Sequence, residues 1–352
     1  MAAALQGYER YLQRYPRPLE FAVEARWRLA ELTRLDGQAA TAATWLQAVQ
    51  QADLAAGGER TARTRTLGGQ ATLALAEPVL AEYRKVQLIE PLAQQLKLKK
   101  AKMEEALRAY AAASEVAIAD VTTAATFHTA ALYQDFGQAL ITSTRPKKLN
   151  KIELEQYNVM LEEQAFPFEE KAIELHEANT RRTVAGVYDL WIERSFTELA
   201  KFKPVRYGKT ERGDAALPQD VAALEAALNT SPGQVALLNQ LGIAQRQRGR
   251  FDKAREAYEA AIALEPTAAQ PTLNLAILFD LYLGDSARAM ALYQRCQELS
   301  PADATLGKWV AELKARKPAP QAPNVAHTNT SAATTTAAGT ASTATAARKE
   351  PP

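Results

Sequence analysis

Apolar and small residues recur at helical steps along most of the chain, and between residues 235 and 301 they do so twice over. Ala254, Tyr258, Ala261 and Pro266 return 35 positions later as Ala289, Tyr293, Cys296 and Pro301, and Gly249 returns as Gly284. Leu241 and Gly242 return only 34 positions on, as Leu275 and Ala276, so one residue is inserted between Leu275 and Gly284. Other stripes keep steps of three and four. Leu92, Leu96, Met103, Leu107 and Tyr110 form one, with Lys99 as its polar exception. Phe127, Ala131, Leu132, Phe136 and Leu140 form the next, and Thr144-Arg145-Pro146 ends it. Tyr157, Leu161, Ala165, Phe168, Ala172 and Leu175 follow, interrupted by Pro167, where a kink or a restart is expected. Val187, Trp191, Ile192, Phe196 and Leu199 mark a further helix closed by Pro204.

The ends repeat the same theme. Ala4, Tyr8, Tyr11 and Pro16 have the spacing of Ala254, Tyr258, Ala261 and Pro266, so the first helix reads as the second half of a repeat. Residues 21–35 and 38–56 read as one full hairpin. Gly57-Gly58 and Gly68-Gly69 read as punctuation after it. Leu224, Ala227 and Pro232 place a lone helix over 218–229, and Leu306, Trp309, Val310 and Leu313 place another over 305–315. These two cap the duplicated hairpins, as stacked repeats require for solubility.

A period of this length with small residues at helix contacts and a closing proline means stacked helical hairpins. Gly242, Ala254 and Ala261 let backbones approach. Tyr258 fills the gap between hairpins, worth roughly 1.5–3 kcal/mol when fully buried. Gly249 ends the first helix, and Asp252 caps or charges the start of the second. The expected fold is all-α, an α-solenoid of hairpins with a long-helix central segment and a disordered C-terminal tail. The expected segments are 1–77, N-terminal hairpins with the first truncated; 78–203, long helices; 204–217, a polar linker; 218–316, the C-terminal repeats with their caps; and 317–352, a Pro/Ala/Thr/Ser tail too poor in large apolar residues to fold.

Residues 235–268 resemble the tetratricopeptide repeat at nearly every position. Leu238 stands where that family often has Trp, and Gln245 where it often has Tyr. The resemblance implies a binding scaffold whose concave groove holds a protein or peptide partner. Three- and four-residue steps put Ala236, Asn239, Ile243 and Arg246 on that face, with Gln270, Leu273, Ile277 and Asp280 next door. Asn239 and Arg246 are its expected polar anchors. The lysine-and-asparagine carboxylate clamp of chaperone adaptors does not appear.

A second resemblance runs over roughly 92–211 and is carried by 155–182 and by 186–211. These stretches are similar to bacterial envelope repeat proteins that accompany TonB-type energy transducers, and to a related lipoprotein of gliding-motility machinery. The resemblance implies a subunit of a cell-envelope assembly. The chain departs from that pattern in carrying no lipoprotein signal, so a segment upstream of Met1 is expected to supply export. The location would then be periplasmic or outer-membrane associated, and cytoplasmic without it. The alternatives are a soluble cytoplasmic adaptor binding a peptide, or a regulatory subunit of an enzyme complex.

Composition narrows the chemistry. The chain has 352 residues, 23% charged, with a net charge of +2, which gives no global attraction to nucleic acid or to a membrane surface. Membrane association is expected only through a partner or a lipid anchor. No apolar run reaches the roughly 20 residues of a membrane helix. The single cysteine, Cys296, replaces Ala261 of the first copy and reads as a small packing residue. His128, His176 and His327 lack partners at metal-ligand spacing, so no metal or other cofactor is expected. No phosphate-binding glycine loop or nucleophile elbow occurs. Glu162-Glu163 and Glu169-Glu170 read as a solvated helix face. Lys97, Lys99, Lys100 and Lys102, then Arg145, Lys147, Lys148 and Lys151, lack interleaved aromatics and read as solvated cations or a contact for an acidic partner. The expectation is a non-enzymatic protein with no small-molecule substrate and no nucleic-acid ligand.

Overall fold

The computed structural model describes residues 1–316, and the tail expected at 317–352 lies outside the described residues. The helices are α1 (Ala2–Arg14), α2 (Leu19–Leu35), α3 (Ala39–Leu54), α4 (Ala62–Lys85), α5 (Leu92–Glu115), α6 (Ala119–Ile141), α7 (Lys151–Thr180), α8 (Leu190–Phe202), the single turn α9 (Pro204–Tyr207), α10 (Val221–Thr230), α11 (Val235–Gln247), α12 (Phe251–Leu264), α13 (Ala269–Ile277), α14 (Ser286–Leu299) and α15 (Ala304–Ala315). No strand occurs among the described residues. The fold is an all-α solenoid of helical hairpins. Successive helices pair as α2/α3, α4/α5, α6/α7, α11/α12 and α13/α14, while α2 touches α4, α4 touches α6, α6 touches α8 and α11 touches α13.

Side chains at helix entries explain several boundaries. Thr61 and Thr64 cap α4 reciprocally, and Asn150 and Glu153 do the same for α7. Asp189, Asp220 and Asp285 accept from the first-turn amides of α8, α10 and α14. Asp252 lies in the first turn of α12, which has no side-chain cap, so it contributes charge there and not a cap. Gly249 and Gly284 take left-handed φ of 70° and 69° and end the first helix of each duplicated hairpin.

Three sequence expectations change. Gly68 and Gly69 do not break the chain but lie inside α4 at points of close approach. A Cβ on Gly68 would stand 2.8 Å from the Asp53 side chain, and one on Gly69 3.0 Å from Val116. α4 also runs through the boundary expected at 77/78, with Pro78 on its exposed side; the break before α4 is the 3-10 turn Gly57–Glu59. At exposed Pro167, α7 continues without restarting.

The inserted residue of the second copy has a structural form. α13 passes into a π-helical turn, Leu278–Leu283, before Gly284. A π turn holds one residue more than the α turn it replaces.

Residues Met1–Ala315 form one compact unit. Its largest core joins Ile192, Phe196 and Leu199 of α8 to Phe251, Tyr258, Ile277 and Tyr293 of the duplicated hairpins. A second core gathers Tyr83, Met103, Tyr110, Leu132 and Phe136 from α4, α5 and α6. A small one holds Val23, Val49, Leu67 and Ala71, and α10 packs Val221 and Leu224 on Leu237 and Ala244 of α11. Cys296 is buried beside Tyr293, and burial lifts its thiol to about 12, so it stays protonated.

Candidate functional site

After the single turn α9 the chain lacks helical periodicity and carries Gly208, Lys209, Glu211, Arg212 and Gly213. It runs extended along α11, the α13 π turn and α15. Gly208 ends the α9 turn with φ −85° and ψ 16°, and from there Lys209 is buried, Thr210 exposed and Glu211 half-buried, the alternation of an extended segment.

Each step of this strap has a polar seat. The Lys209 ammonium forms an ion pair with Asp280 of the π turn, both side chains fully buried, and reaches Glu312 of α15 at 3.3 Å. The Tyr293 hydroxyl donates to Asp280 at 3.1 Å. Two residues on, the Glu211 carboxylate accepts from the Tyr258 hydroxyl at 2.6 Å and from Arg246 Nε at 2.8 Å. Burial, then the Glu211 charge, raises the Tyr258 phenol above its ordinary range, so it remains a donor. Burial works against the Arg246 charge, but Tyr282, Glu211 and Tyr258 outweigh it and hold the guanidinium above its usual value.

At Arg212 the seat is for the main chain. Its N–H donates to Asn274 Oδ1 at 2.7 Å, and its carbonyl accepts from Asn239 Nδ2 and Asn274 Nδ2, each at 2.8 Å. The second Asn274 amide hydrogen goes to Asn239 Oδ1 at 2.8 Å. The two carboxamides therefore grip a peptide unit whatever side chain it carries. The Arg212 guanidinium reaches Asp303 at 2.5 Å. Gly213 lies so close that a Cβ would stand 2.5 Å from Gln240 Oε1 and 2.7 Å from Ile243 Cδ1, and the Asp214 N–H donates to Gln240 at 3.1 Å.

The eight residues expected on the inner face divide three ways. Asn239, Arg246 and Asp280 hold this chain's own strap. Ile243, Leu273 and Ile277 belong to the core, with Ile243 also touching Gly213. Ala236 and Gln270 are exposed. Sequence reasoning missed Asn274, Gln240, the two tyrosine hydroxyls and both strap charges. One signal was present: Asn239 and Asn274 are the same residue 35 positions apart, the offset of the second helices, whereas the first helices align at 34.

The other chemistry-bearing side chains are internal. His176 is fully buried, with Nδ1 3.3 Å from the Ser195 hydroxyl, which itself donates to the Trp191 carbonyl at 2.8 Å. His128 stacks on Tyr110 with ring centroids 5.3 Å apart. Burial pushes both imidazoles down to about 4, aided at His128 by Arg84 and Arg194, so both are neutral at pH 7. Among the described residues no group of three His, Cys, Asp or Glu converges as metal ligands. The basic cluster at 97–102 is split. Lys99 is buried, donates to the Val86 carbonyl at 2.8 Å and lies 4.0 Å from the Tyr83 ring centroid, while Lys102 pairs with Glu105 at 2.7 Å. Arg145 ties the end of α6 to α7 through the Ile141 and Ser143 carbonyls and Asn158.

Residues 235–268 match the family model of the tetratricopeptide repeat, so α11 and α12 are one such repeat. No curated protein matches the chain. Among solved structures it is similar to a thermophilic tetratricopeptide repeat protein of Thermus thermophilus, at 17% identity over 70% of this chain and 98% of that one, with a TM-score of 0.26. It is similar to a chain of the APC/C hetero-tetramer Cut9–Hcn1 at 14% identity over 87% of this chain and 58% of that one, TM-score 0.25. It is also similar to an IFIT1 monomeric mutant with Gppp-AAAA, at 15% identity over 83% and 77% and a TM-score of 0.21.

Proposed function

We propose that the protein is a non-enzymatic scaffold that binds other polypeptides, and that it serves in a bacterial cell-envelope assembly of the TonB or gliding-motility kind. The observation that carries the scaffold reading is the grip on Arg212. Two side-chain amides satisfy one peptide unit's N–H and C=O, which is recognition of main chain as such. The flanking pockets then select side chains by charge. Such a surface suits an extended polypeptide.

The envelope reading is supported by the likeness of 155–182 and 186–211 to envelope repeat proteins. Both readings are tested by expressing the chain with its native upstream region, cross-linking whole cells and purifying from separated fractions. The expected result is recovery from the envelope fraction with a protein partner in fixed ratio. Recovery with a partner from the cytosol alone would remove the envelope reading and keep the scaffold. Recovery without any partner from every fraction would remove both.

A further inference from the structure

We propose that the strap, residues 207–214, is a resident ligand of the inner face, and that a partner protein displaces it with an extended segment carrying a cation two residues ahead of a carboxylate. The proposal deepens the scaffold reading and rests on it for the existence of a partner.

The seats define the pattern. Lys209 and Glu211 are two residues apart, so in an extended chain both point to the same side. One meets the paired carboxylates Asp280 and Glu312, the other meets Arg246 and the Tyr258 hydroxyl. These seats are of opposite sign and fixed order, so a segment with the charges exchanged would meet two repulsions. The peptide unit after the carboxylate is held by Asn239 and Asn274, and a Cβ at the next position would have to move the ends of the Gln240 and Ile243 side chains, which favours a small residue there. The recognised pattern is cation, any residue, carboxylate, cation, small residue, the second cation meeting Asp303.

The contact is also built to come apart. From Lys209 to Asp214 the strap is held mainly by polar and charged contacts; its apolar neighbours are Ile243 against Gly213 and the Tyr293 and Trp309 rings beside the Lys209 ammonium, with Tyr207 anchored in the core at its edge. A buried ion pair gives little net stability over its separated and rehydrated partners. Release therefore exposes groups that water accepts, where an apolar strap would resist leaving. The inner face also extends beyond the strap. Ala236 and Gln270 lie about one helical turn N-terminal to Asn239 and Asn274 on the same helices, and both are exposed. A longer partner segment gains contacts there that the strap lacks. It needs them, because a tethered segment competes at an effective concentration of order millimolar.

The test uses the full chain and a fluorescein-labelled peptide of sequence YGKTERGD, read by anisotropy. The chain carrying Lys209→Ala plus Glu211→Ala is expected to bind the peptide about 100-fold more tightly than the unaltered chain, whose strap competes. Adding Asn274→Ala, or exchanging the peptide's lysine and glutamate, is expected to abolish that gain. Equal affinity for both chains, or equal binding of the exchanged peptide, would overturn the proposal. Amide exchange on the unaltered chain gives an answer that needs no variant to fold. The Arg212 N–H is expected to exchange through its own opening, faster than the Ile243 and Ile277 amides of α11 and α13. Exchange at their rate would mean that the strap leaves only when the helices unfold, and would overturn the proposal too. Neither failure alters the co-purification result above, so the two readings stand or fall separately.

Discussion

Gly242 shows how a single hydrogen atom positions the site. A Cβ there would lie 2.2 Å from Tyr258 Cε1, and that ring cannot swing aside because its hydroxyl is held by Glu211. Gly242→Ala is expected to cost about 1–3 kcal/mol, from overpacking against a ring with no free rotamer. Urea unfolding would show a lower midpoint at unchanged slope. Asn274→Ala removes one donor to the Arg212 carbonyl and the acceptor for its N–H, and is expected to cost about 1–3 kcal/mol. The histidines give a pH signature of definite sign. With folded values near 4 against an ordinary 6.5, His128 and His176 bind protons in the unfolded chain first. Stability is therefore full above about pH 6.5 and falls as pH drops toward 4, by up to about 1.4 kcal/mol per pH unit for each group. Between pH 6.5 and 5 most carboxylates are still ionised, so Tm is expected to fall in that window, and less so in His128→Phe. A Tm flat from pH 7 to 5 would contradict the burial of both rings.

At the level of elements, what was legible in the sequence was whatever repeats locally. The duplicated hairpins, their glycine stops and the single cysteine's place follow from a short period and from residue size. The extra residue between Leu275 and Gly284 was visible as a mismatch of 34 against 35, but its shape was not. It becomes the π turn, which carries Asp280 to the strap lysine. Deleting Leu281 is expected to convert this turn to α-helix, rotate Tyr282 off its core and lower stability by roughly 1.5–3 kcal/mol, the worth of one buried large side chain. A far-UV spectrum with unchanged helix content alongside a lower Tm would confirm the local nature of the change. The strap itself was illegible. An extended polar stretch has no period, and Lys209 finds Asp280 only 71 residues later. Residues 204–217 carry the composition of a linker. Gly68 and Gly69 misled for a related reason: glycine serves turns and close helix contacts alike, and only the neighbours Asp53 and Val116 decide between them.

For residues 1–315 as a whole, the strap and α8 bind the C-terminal repeats to the preceding long helices. Ile192 and Phe196 share one core with Tyr258 and Tyr282, and Thr183 donates to the Tyr282 carbonyl at 2.8 Å. A cut just beyond the strap, which frees one of its ends, is therefore expected to lower the stability of the whole unit. Proteolysis at an engineered site replacing exposed Ala215-Ala216 would show it as a drop in Tm that the uncut chain lacks. The exposed carboxylates of α7, Glu162, Glu163, Glu169 and Glu170, lie outside these cores and carry no comparable expectation.

Whether the inner face holds this polypeptide in solution is decided most directly by a double-mutant cycle on Glu211 and Arg246. The four chains are the unaltered one, Glu211→Gln, Arg246→Met and the pair, each unfolded in urea. With Glu211 seated on Arg246 behind a mostly buried interface, the coupling is expected between about 0.5 and 3 kcal/mol. Additivity within about 0.3 kcal/mol would mean the two side chains do not meet, and the strap is not in the groove.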